Sequence, residues 1–569
     1  MVNAAGYRPF LHTRLMRFFA RDHSHLAASA TAIMGVINVL SGATPGLAAR
    51  VRLIAAISPL EVRRGGHLTA VLAGFALLLL ARGLWRRKVA AWWLTLLVLS
   101  LSAVVHLVKG LDYEEATLAL ILAGALWLQR SHFHALSDPP AFRQGLGVLG
   151  AAVLFTLAYG VTGFFLLDRH FHVNYSFDAA VQQTLIMFTE FYDPGLQPLT
   201  GFGRYFAWSI YATGALTIGY ALLMLLRPVL MRRPASHVER QRATQIVETH
   251  GHSSLARFTL FADKNYFFSA GGSVIAYTVK GRVALALGDP IGPCEDVLAA
   301  IGEFQQLCVR NDWRPAFYQT LPETLTIYSQ AGLQMLCIGH EGIVDLATFT
   351  ISGRDNKNLR AMTNRFTREG YTAVVHDPPL APALLAELRA VSDAWLTTMH
   401  GSEQRFSLGW FEDDYVRNSR VMAIHTPDGA ISAFVNFVPE YQRNELGLDL
   451  MRRRTEAATG TMEFLFVAFL QWAGAQGYDT FNLGLSALSG VGEEVDDPAI
   501  EQMLHYVYEH LNQFYNFKGL HGFKAKFRPT WSPRYLIYPN AAALPAVLAA
   551  LVQASAGDDL LFSYWRRLR

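Results

Sequence analysis

The chain has 569 residues and a net charge of only +4, so an anionic partner would have to be met by local clusters rather than by bulk charge. That length is too great for one hydrophobic core. Cys294, Cys308 and Cys337 share no CxxC spacing, which argues against a disulfide framework or a cysteine zinc site and fits a reducing compartment.

The mean hydropathy of +0.21 averages two unlike parts. Up to about residue 226 long apolar runs dominate; beyond 232 the polarity is that of a soluble α/β protein. The runs are 26–47, 65–81, 89–108, 116–128, 146–167 and 205–226. A bilayer core of about 30 Å needs roughly 20 apolar residues in a helix, so the first, third, fifth and sixth fit and the second and fourth are short. The fourth fits better if it begins earlier and buries Tyr113. The first run is read as a span and not as a signal peptide, because more membrane follows it. About six spans form a membrane domain over 1–232. Arg8, Arg14, Arg17 and Arg21, then Arg82, Arg86, Arg87 and Lys88, place both termini in the cytoplasm by the positive-inside rule; Arg50, Arg52, Arg63 and Arg64 disagree. The aromatic connection 168–204 is either an interfacial helix or a packed external loop.

Residues 233–254 are polar and are expected to act as a linker. From there two rounds of strands and helices follow: a hairpin over 273–287, a helix over 297–310, a strand at 315–318 and a helix over 325–331, then a helix over 382–399 and strands at 421–425 and 431–437. A strand into Asp449, a helix over 462–476 and a short strand at 480–483 complete the pattern. Two similar α/β modules, 255–380 and 381–569, are expected, the second holding the catalytic site. The segment 544–552 is either a membrane-facing helix or an ordinary closing helix.

One stretch concentrates the chemistry: Asp449-Leu-Met-Arg452-Arg-Arg454, Gly460-Thr-Met462-Glu463, and Phe481 to Gly492 with Gly484 and Ser486 in a Gly/Ser-rich turn. A carboxylate three residues from a guanidinium in apolar surroundings reads as a pocket for an anionic substrate, or as an internal ion pair. Basic clusters at 452–454, 518–528 (Lys524, Lys526 and Arg528 among them) and 566–569 can meet phosphates of a lipid or of RNA, or form a solvated face.

These motifs, with Phe261-Ala-Asp263-Lys264, Ala286-Leu-Gly-Asp-Pro-Ile-Gly292 and Tyr515-Asn-Phe-Lys-Gly-Leu520 through Trp531, resemble the aminoacyl-phosphatidylglycerol synthases, the multiple peptide resistance factor family. The resemblance covers about 255–538. It implies two tandem GNAT-like folds after a multi-pass α-helical membrane bundle. Aminoacyl-tRNA would be the donor, lysyl before alanyl, and phosphatidylglycerol of the bacterial cytoplasmic membrane the acceptor. Larger members add an N-terminal flippase domain; with about six spans here, synthase activity without it is expected. Where members often carry arginine after the Gly-Leu of the last motif, this chain has His521.

An ester-to-ester exchange needs oriented substrates, a proton acceptor and oxyanion stabilisation, but no redox cofactor and no metal. Asp449 is the candidate for orienting or deprotonating the lipid hydroxyl, and Arg452 for holding a phosphate bidentately. Lys524 and Lys526 alternate on an apparent strand and would share one face toward the lipid phosphate or the tRNA acceptor end. Glu509 fixes either a substrate amine or a lysine, or forms a salt bridge at a helix end. A homo-oligomer is left open. The rival readings are an acyl-CoA-dependent acyltransferase, against which no pyrophosphate loop is found, and a flippase or transporter, against which the spans carry few charges.

Overall fold

The computed structural model describes residues 25–41, 60–110, 112–135, 235–354, 356–398, 403–491 and 517–555, with a few positions between 154 and 182. The chain divides into two compact units, Met1–Leu230 with Val309–Asp312, and Met231–Cys308 with Trp313–Arg569.

In the first unit four helices are described: α1 (His25–Ser41), α2 (Leu60–Trp85), α3 (Val89–Gly110) and α4 (Tyr113–Leu128). Leu77, Leu84, Trp92, Leu99 and Leu126 form their common core. Helices α1 and α2 touch at Gly35 and Gly74, where a Cβ on Gly74 would lie 2.5 Å from the Gly35 carbonyl; small residues let the backbones meet. Asn38 ties α1 to α3, donating to Ser102 Oγ at 2.7 Å while its Oδ1 lies 3.0 Å from His106 Nε2. Among the described residues one helix, Val89–Leu107, is long and apolar enough to cross a membrane. Helix α4 does begin at Tyr113, but that side chain is exposed. The runs 146–167 and 205–226 lie outside the described residues, apart from isolated positions.

The second unit is built on one mixed sheet of eleven strands, ordered β1-β2-β3-β4-β11-β5-β10-β9-β8-β7-β6. The segment expected as a linker holds helix α5 (His237–His250), started by a Ser236–Glu239 capping box and buried through Ala243 and Val247. The first strands are β1 (Asn265–Phe268), β2 (Val274–Lys280), β3 (Val283–Leu287), β4 (Arg314–Thr320) and β5 (Gln334–Asp345), with helices α6 (Val297–Arg310) and α7 (Leu325–Gln330). Then come α8 (Lys357–Arg368), β6 (Thr372–His376), α9 (Pro382–Thr398), α10 (Asp413–Arg417), β7 (Val421–His425), β8 (Ile431–Pro439) and β9 (Glu445–Arg453). The chain closes with α11 (Thr461–Ala475), β10 (Thr480–Ala487), α12 (Phe517–Ala525), β11 (Thr530–Tyr538) and α13 (Leu544–Ser555).

The two rounds of elements are interlaced in the sheet. Strand β11, from the end of the chain, lies between β4 and β5, and β6 pairs with β7 across the expected 380/381 boundary. Helices cover both faces of the second half of the sheet, which is why β8 reads as an unbroken buried run. On one face α11 packs Phe464, Leu465, Phe469 and Leu470 against Phe437 and Phe481, with the Phe437 and Phe469 rings stacked at 4.3 Å. On the other face α9 packs Leu388 and Val391 against Val421, Phe434 and Leu450. Helix α13 buries Leu544, Val547 and Ala550 against β3 and β11 residues, as a closing helix over 544–552 would.

Candidate active site

The site begins where two parallel strands part. Strands β9 and β10 pair only from Glu445↔Thr480 to Gly447↔Asn482. Beyond that β10 bulges against β5 between Asn482 and Leu485, with Gly484 at φ 74°, and follows β5, while β9 follows β8. A crevice opens between their carboxyl halves, the place where open α/β sheets take ligands.

A second bulge decides what faces that crevice. On a regular strand residues i and i+3 point to opposite faces. Strand β9 pairs Leu448 with Phe437 and Met451 with Val435, so Asp449 and Leu450 together oppose Asn436 alone. Leu448 and Met451 pack toward α11, whereas Asp449 meets Tyr415 and Arg452 lies over Trp395. Asn436 closes the bulge: its Oδ1 accepts from the Leu450 N–H at 2.7 Å, and its Nδ2 donates to the Tyr415 hydroxyl at 2.9 Å.

Asp449 is held from two sides. Its Oδ1 accepts from the Gly409 N–H and its Oδ2 from the Tyr415 hydroxyl, both at 2.8 Å. A Cβ at Gly409 would overlap the carboxylate, so this approach requires glycine. Burial pushes the Asp449 carboxyl up to about 6, against the pull of the two hydrogen bonds and of Arg452. Arg452 donates to Glu403 Oε1 at 2.6 Å and lies 4.0 Å over the Trp395 ring. Its Nε is buried and has no hydrogen-bond partner. The two motif residues therefore do not close on each other as an ion pair; each has a partner of its own. Gly409, Tyr415, Glu403, Trp395 and Asn436 had no periodic or motif signal in the sequence, because a bulge and a tertiary contact bring them in.

Across the crevice stands β10. Lys524 and Lys526 are not on a strand: α12 ends at Ala525, and Phe523 and Phe527 pack on Phe466 from its last turn. The two lysines accordingly part. Lys524 is buried and donates to the carbonyls of Gly484 and Leu485, each at 2.9 Å, which braces the β10 bulge; burial pulls it down to about 7 against Glu341. Lys526 is exposed and pairs with Glu463 at 2.8 Å. Ser486 Oγ lies 3.3 Å from His521 Nδ1, and the His521 ring stacks on Trp531 at 4.4 Å. Arg528 occupies the turn into β11 at φ 52°. Glu509 lies outside the described residues. Behind β10, Glu341 accepts from Ser254 Oγ at 2.6 Å and is paired with Arg534, and Glu445 accepts from Asn482 Nδ2 at 2.9 Å and Thr480 Oγ1 at 3.0 Å.

Among the described residues, the side chains of His106, Asp112 and Glu115, in the first unit, are the group whose ligand atoms converge within 4.8 Å as a metal would need.

Residues 244–538 match the family described as phosphatidylglycerol lysyltransferase, C-terminal. The chain is 33% identical over 309 residues to the phosphatidylglycerol lysyltransferase of Bacillus subtilis, covering 54% of this chain and 36% of the relative. It is 31% identical over 336 residues to that of Staphylococcus epidermidis, covering 59% and 40%. The match thus spans about two-fifths of the length of these curated relatives. A solved structure of L-PGS from Bacillus licheniformis aligns at 35% identity and TM-score 0.50, over 56% of this chain and 97% of that one.

Proposed function

Because the chain belongs to the phosphatidylglycerol lysyltransferase C-terminal family, we propose that it transfers an aminoacyl group, lysyl first and alanyl second, from aminoacyl-tRNA to a glycerol hydroxyl of phosphatidylglycerol. Two tandem GNAT-like folds sharing one sheet carry the reaction, on the cytoplasmic side of a bacterial inner membrane crossed several times by the first unit. The product lowers the negative charge of the membrane and with it the binding of cationic antimicrobial peptides.

The observation that carries this reading is Asp449, a carboxylate oriented by Gly409 and Tyr415 at the parting of β9 and β10 and pushed up to about 6 by burial. An ionised carboxylate offers about four lone-pair sites, so two inward donors leave room for a hydroxyl. In the proposed step the glycerol oxygen bonds to the ester carbonyl carbon while its proton passes to Asp449. The carbon–oxygen bond to the tRNA ribose then breaks, and the ribose oxygen takes the proton back. A base with a pKa near the working pH suits both transfers. The unpartnered Nε of Arg452, beside a guanidinium edge already fixed by Glu403 and Trp395, is set to hold the lipid phosphate. Lys524, on two backbone carbonyls, is a positioning residue for β10.

The test is to incubate the purified full chain with phosphatidylglycerol vesicles and, separately, lysyl-tRNA and alanyl-tRNA, and to identify the lipid by mass spectrometry. A lipid heavier by one aminoacyl residue, lost in Asp449→Ala, is expected. No new lipid from either tRNA, with the protein folded, overturns the reading.

A further inference from the structure

Glu440, just past the end of β8, has both carboxylate oxygens shut off from solvent and without a hydrogen-bond partner. Buried carboxylates are almost always paired, so an orphan calls for an explanation. The cations nearby are taken: Arg534 is paired with Glu341, and Arg443 reaches Glu323 at 3.4 Å. The closest acidic neighbours, Glu445 and Glu341, have donors of their own in Asn482, Thr480, Ser254 and Arg534. Of these three described carboxylates, Glu440 is the one without a hydrogen-bond partner.

Its position is fixed by the sheet. Leu446 and Phe481 point into the core under α11, so Glu445 and Asn482, next to them, point to the opposite face, and Glu440 shares a face with Val438, which packs under α13. Glu440 therefore lies on the closed side of the β9–β10 crevice, beneath the parting of the strands. The residue as a whole is only half-buried, whereas its two carboxylate oxygens are shut off from solvent. Burial first, then Glu445 and Glu341, push the carboxyl up to about 8, opposed by Arg443 and Arg534.

A single cation of modest size would answer the carboxylate. Among the described residues Glu341, Glu440 and Glu445 do not bring three ligand oxygens within metal-binding reach of one another, which favours an ammonium over a divalent ion. We propose that Glu440 is the acceptor for an ammonium group of the aminoacyl moiety in transit, with Glu445 and Glu341 supplying the surrounding negative potential. This rests on the aminoacyl-transfer reading above. An aminoacyl ester offers an ammonium at its α-carbon, and a lysyl ester a second at Cε.

The experiment uses the full chain in phosphatidylglycerol vesicles, wild type and Glu440→Gln, with tRNA carrying lysine, Nε-acetyl-lysine or the α-hydroxy analogue of lysine. Glutamine keeps the shape and removes the charge. In the wild type kcat/KM falls about tenfold or more for the analogue lacking the recognised ammonium, a charge-assisted contact being lost. In Glu440→Gln kcat/KM for lysyl-tRNA falls by a similar factor, mainly through KM, and the preference disappears. Loss of preference against the acetylated substrate assigns the side-chain ammonium; loss of preference against the hydroxy substrate assigns the α-ammonium. Unchanged kcat/KM and unchanged preferences in Glu440→Gln overturn the proposal while leaving aminoacyl transfer standing, whereas no product in the wild type overturns the reaction itself. As a check independent of the variant, L-lysine methyl ester raises the wild-type melting temperature and its doubly acylated form does not; equal effects of the two count against the site.

Discussion

Asp449, on β9, and Glu440, just past the end of the neighbouring β8, are two carboxylates set into one sheet, and they differ in whether anything donates to them. Asp449 has a backbone N–H and a tyrosine hydroxyl and rises only to about 6; Glu440 has no donor and rises to about 8. The contrast separates a group the fold has positioned for itself from one it has left for something else. A carboxylate already bonded from the protein side can act on a bound hydroxyl without reorganising, whereas one left bare is most stable when a cation arrives or a proton stays.

The sharpest way to break this comparison is Asp449→Asn. The amide keeps the shape but cannot take a proton, and it turns an NH2 toward Gly409 or Tyr415, both of which donate. Transfer is expected to fall about 100- to 10,000-fold, the range of a lost general base. In the wild type the acid limb of the pH profile lies near 6, activity rising as Asp449 ionises. Stability moves the other way. The folded-state pKa lies above the unfolded value of about 3.9, so the contribution of this group is fully present below about 3.9 and is lost as pH rises through about 6. A profile flat between pH 5 and 8 would remove Asp449 from the proton transfer.

Tyr415→Phe makes Asp449 more like Glu440. It removes one donor from the carboxylate and leaves Asn436 Nδ2 without its acceptor, at a cost of about 1–3 kcal/mol in unfolding free energy. With less to favour the charged form, the acid limb of the activity profile moves above 6. A variant with reduced stability but an unmoved limb would mean that Tyr415 holds the 409–415 segment and does not tune the carboxyl.

Lys524→Met tests the opposite wall. The Lys524 folded-state pKa, about 7, lies below the unfolded value of about 10.4. Its contribution is therefore fully present above about 10.4 and is lost as pH falls through about 7. Methionine should flatten that part of the stability profile while leaving the carbonyls of Gly484 and Leu485 undonated, so the variant melts below wild type at alkaline pH. Denaturant unfolding at pH 7 and pH 9.5 reads both effects; a pH dependence identical to wild type would show that Lys524 keeps an ordinary pKa.

What was legible beforehand follows the same division. The hairpin, α6, β7 and α11 could be read because their apolar period matches their burial, as in Phe464, Leu465 and Phe469 of α11. Helix α8 was missed because Leu359, Met362 and Phe366 are its few apolar anchors in a basic background. The motif gave Asp449 and Arg452, but their coming to one side depends on a bulge, and bulges leave no period. The strand read through Lys524 and Lys526 failed because alternation over three residues cannot exclude a helix end, and the aromatic pair Phe523 and Phe527, four apart, was the better sign. Strand β11 between β4 and β5 is a long-range pairing that no local pattern encodes.

The smallest expected effect is also the one that most directly distinguishes the two carboxylates. Replacing a hydrogen-bonded buried acid by its amide destabilises, because its donors lose their acceptor; replacing an orphan by its amide takes an acceptor from no donor and, where the acid is ionised, removes a desolvated charge. Glu440→Gln should therefore leave stability at pH 7 within about 1 kcal/mol of wild type, with any change toward greater stability. The gain should grow above pH 8, where the wild-type carboxyl ionises without a partner. Since the folded-state pKa of Glu440 exceeds its unfolded value of about 4.3, its contribution to wild-type stability is fully present below about 4.3 and is lost as pH rises through about 8. Chemical unfolding at pH 5, 7 and 9 measures this directly. If Glu440→Gln is as destabilised as Tyr415→Phe, then Glu440 has a donor in solution, and the distinction between a positioned carboxylate and a waiting one collapses.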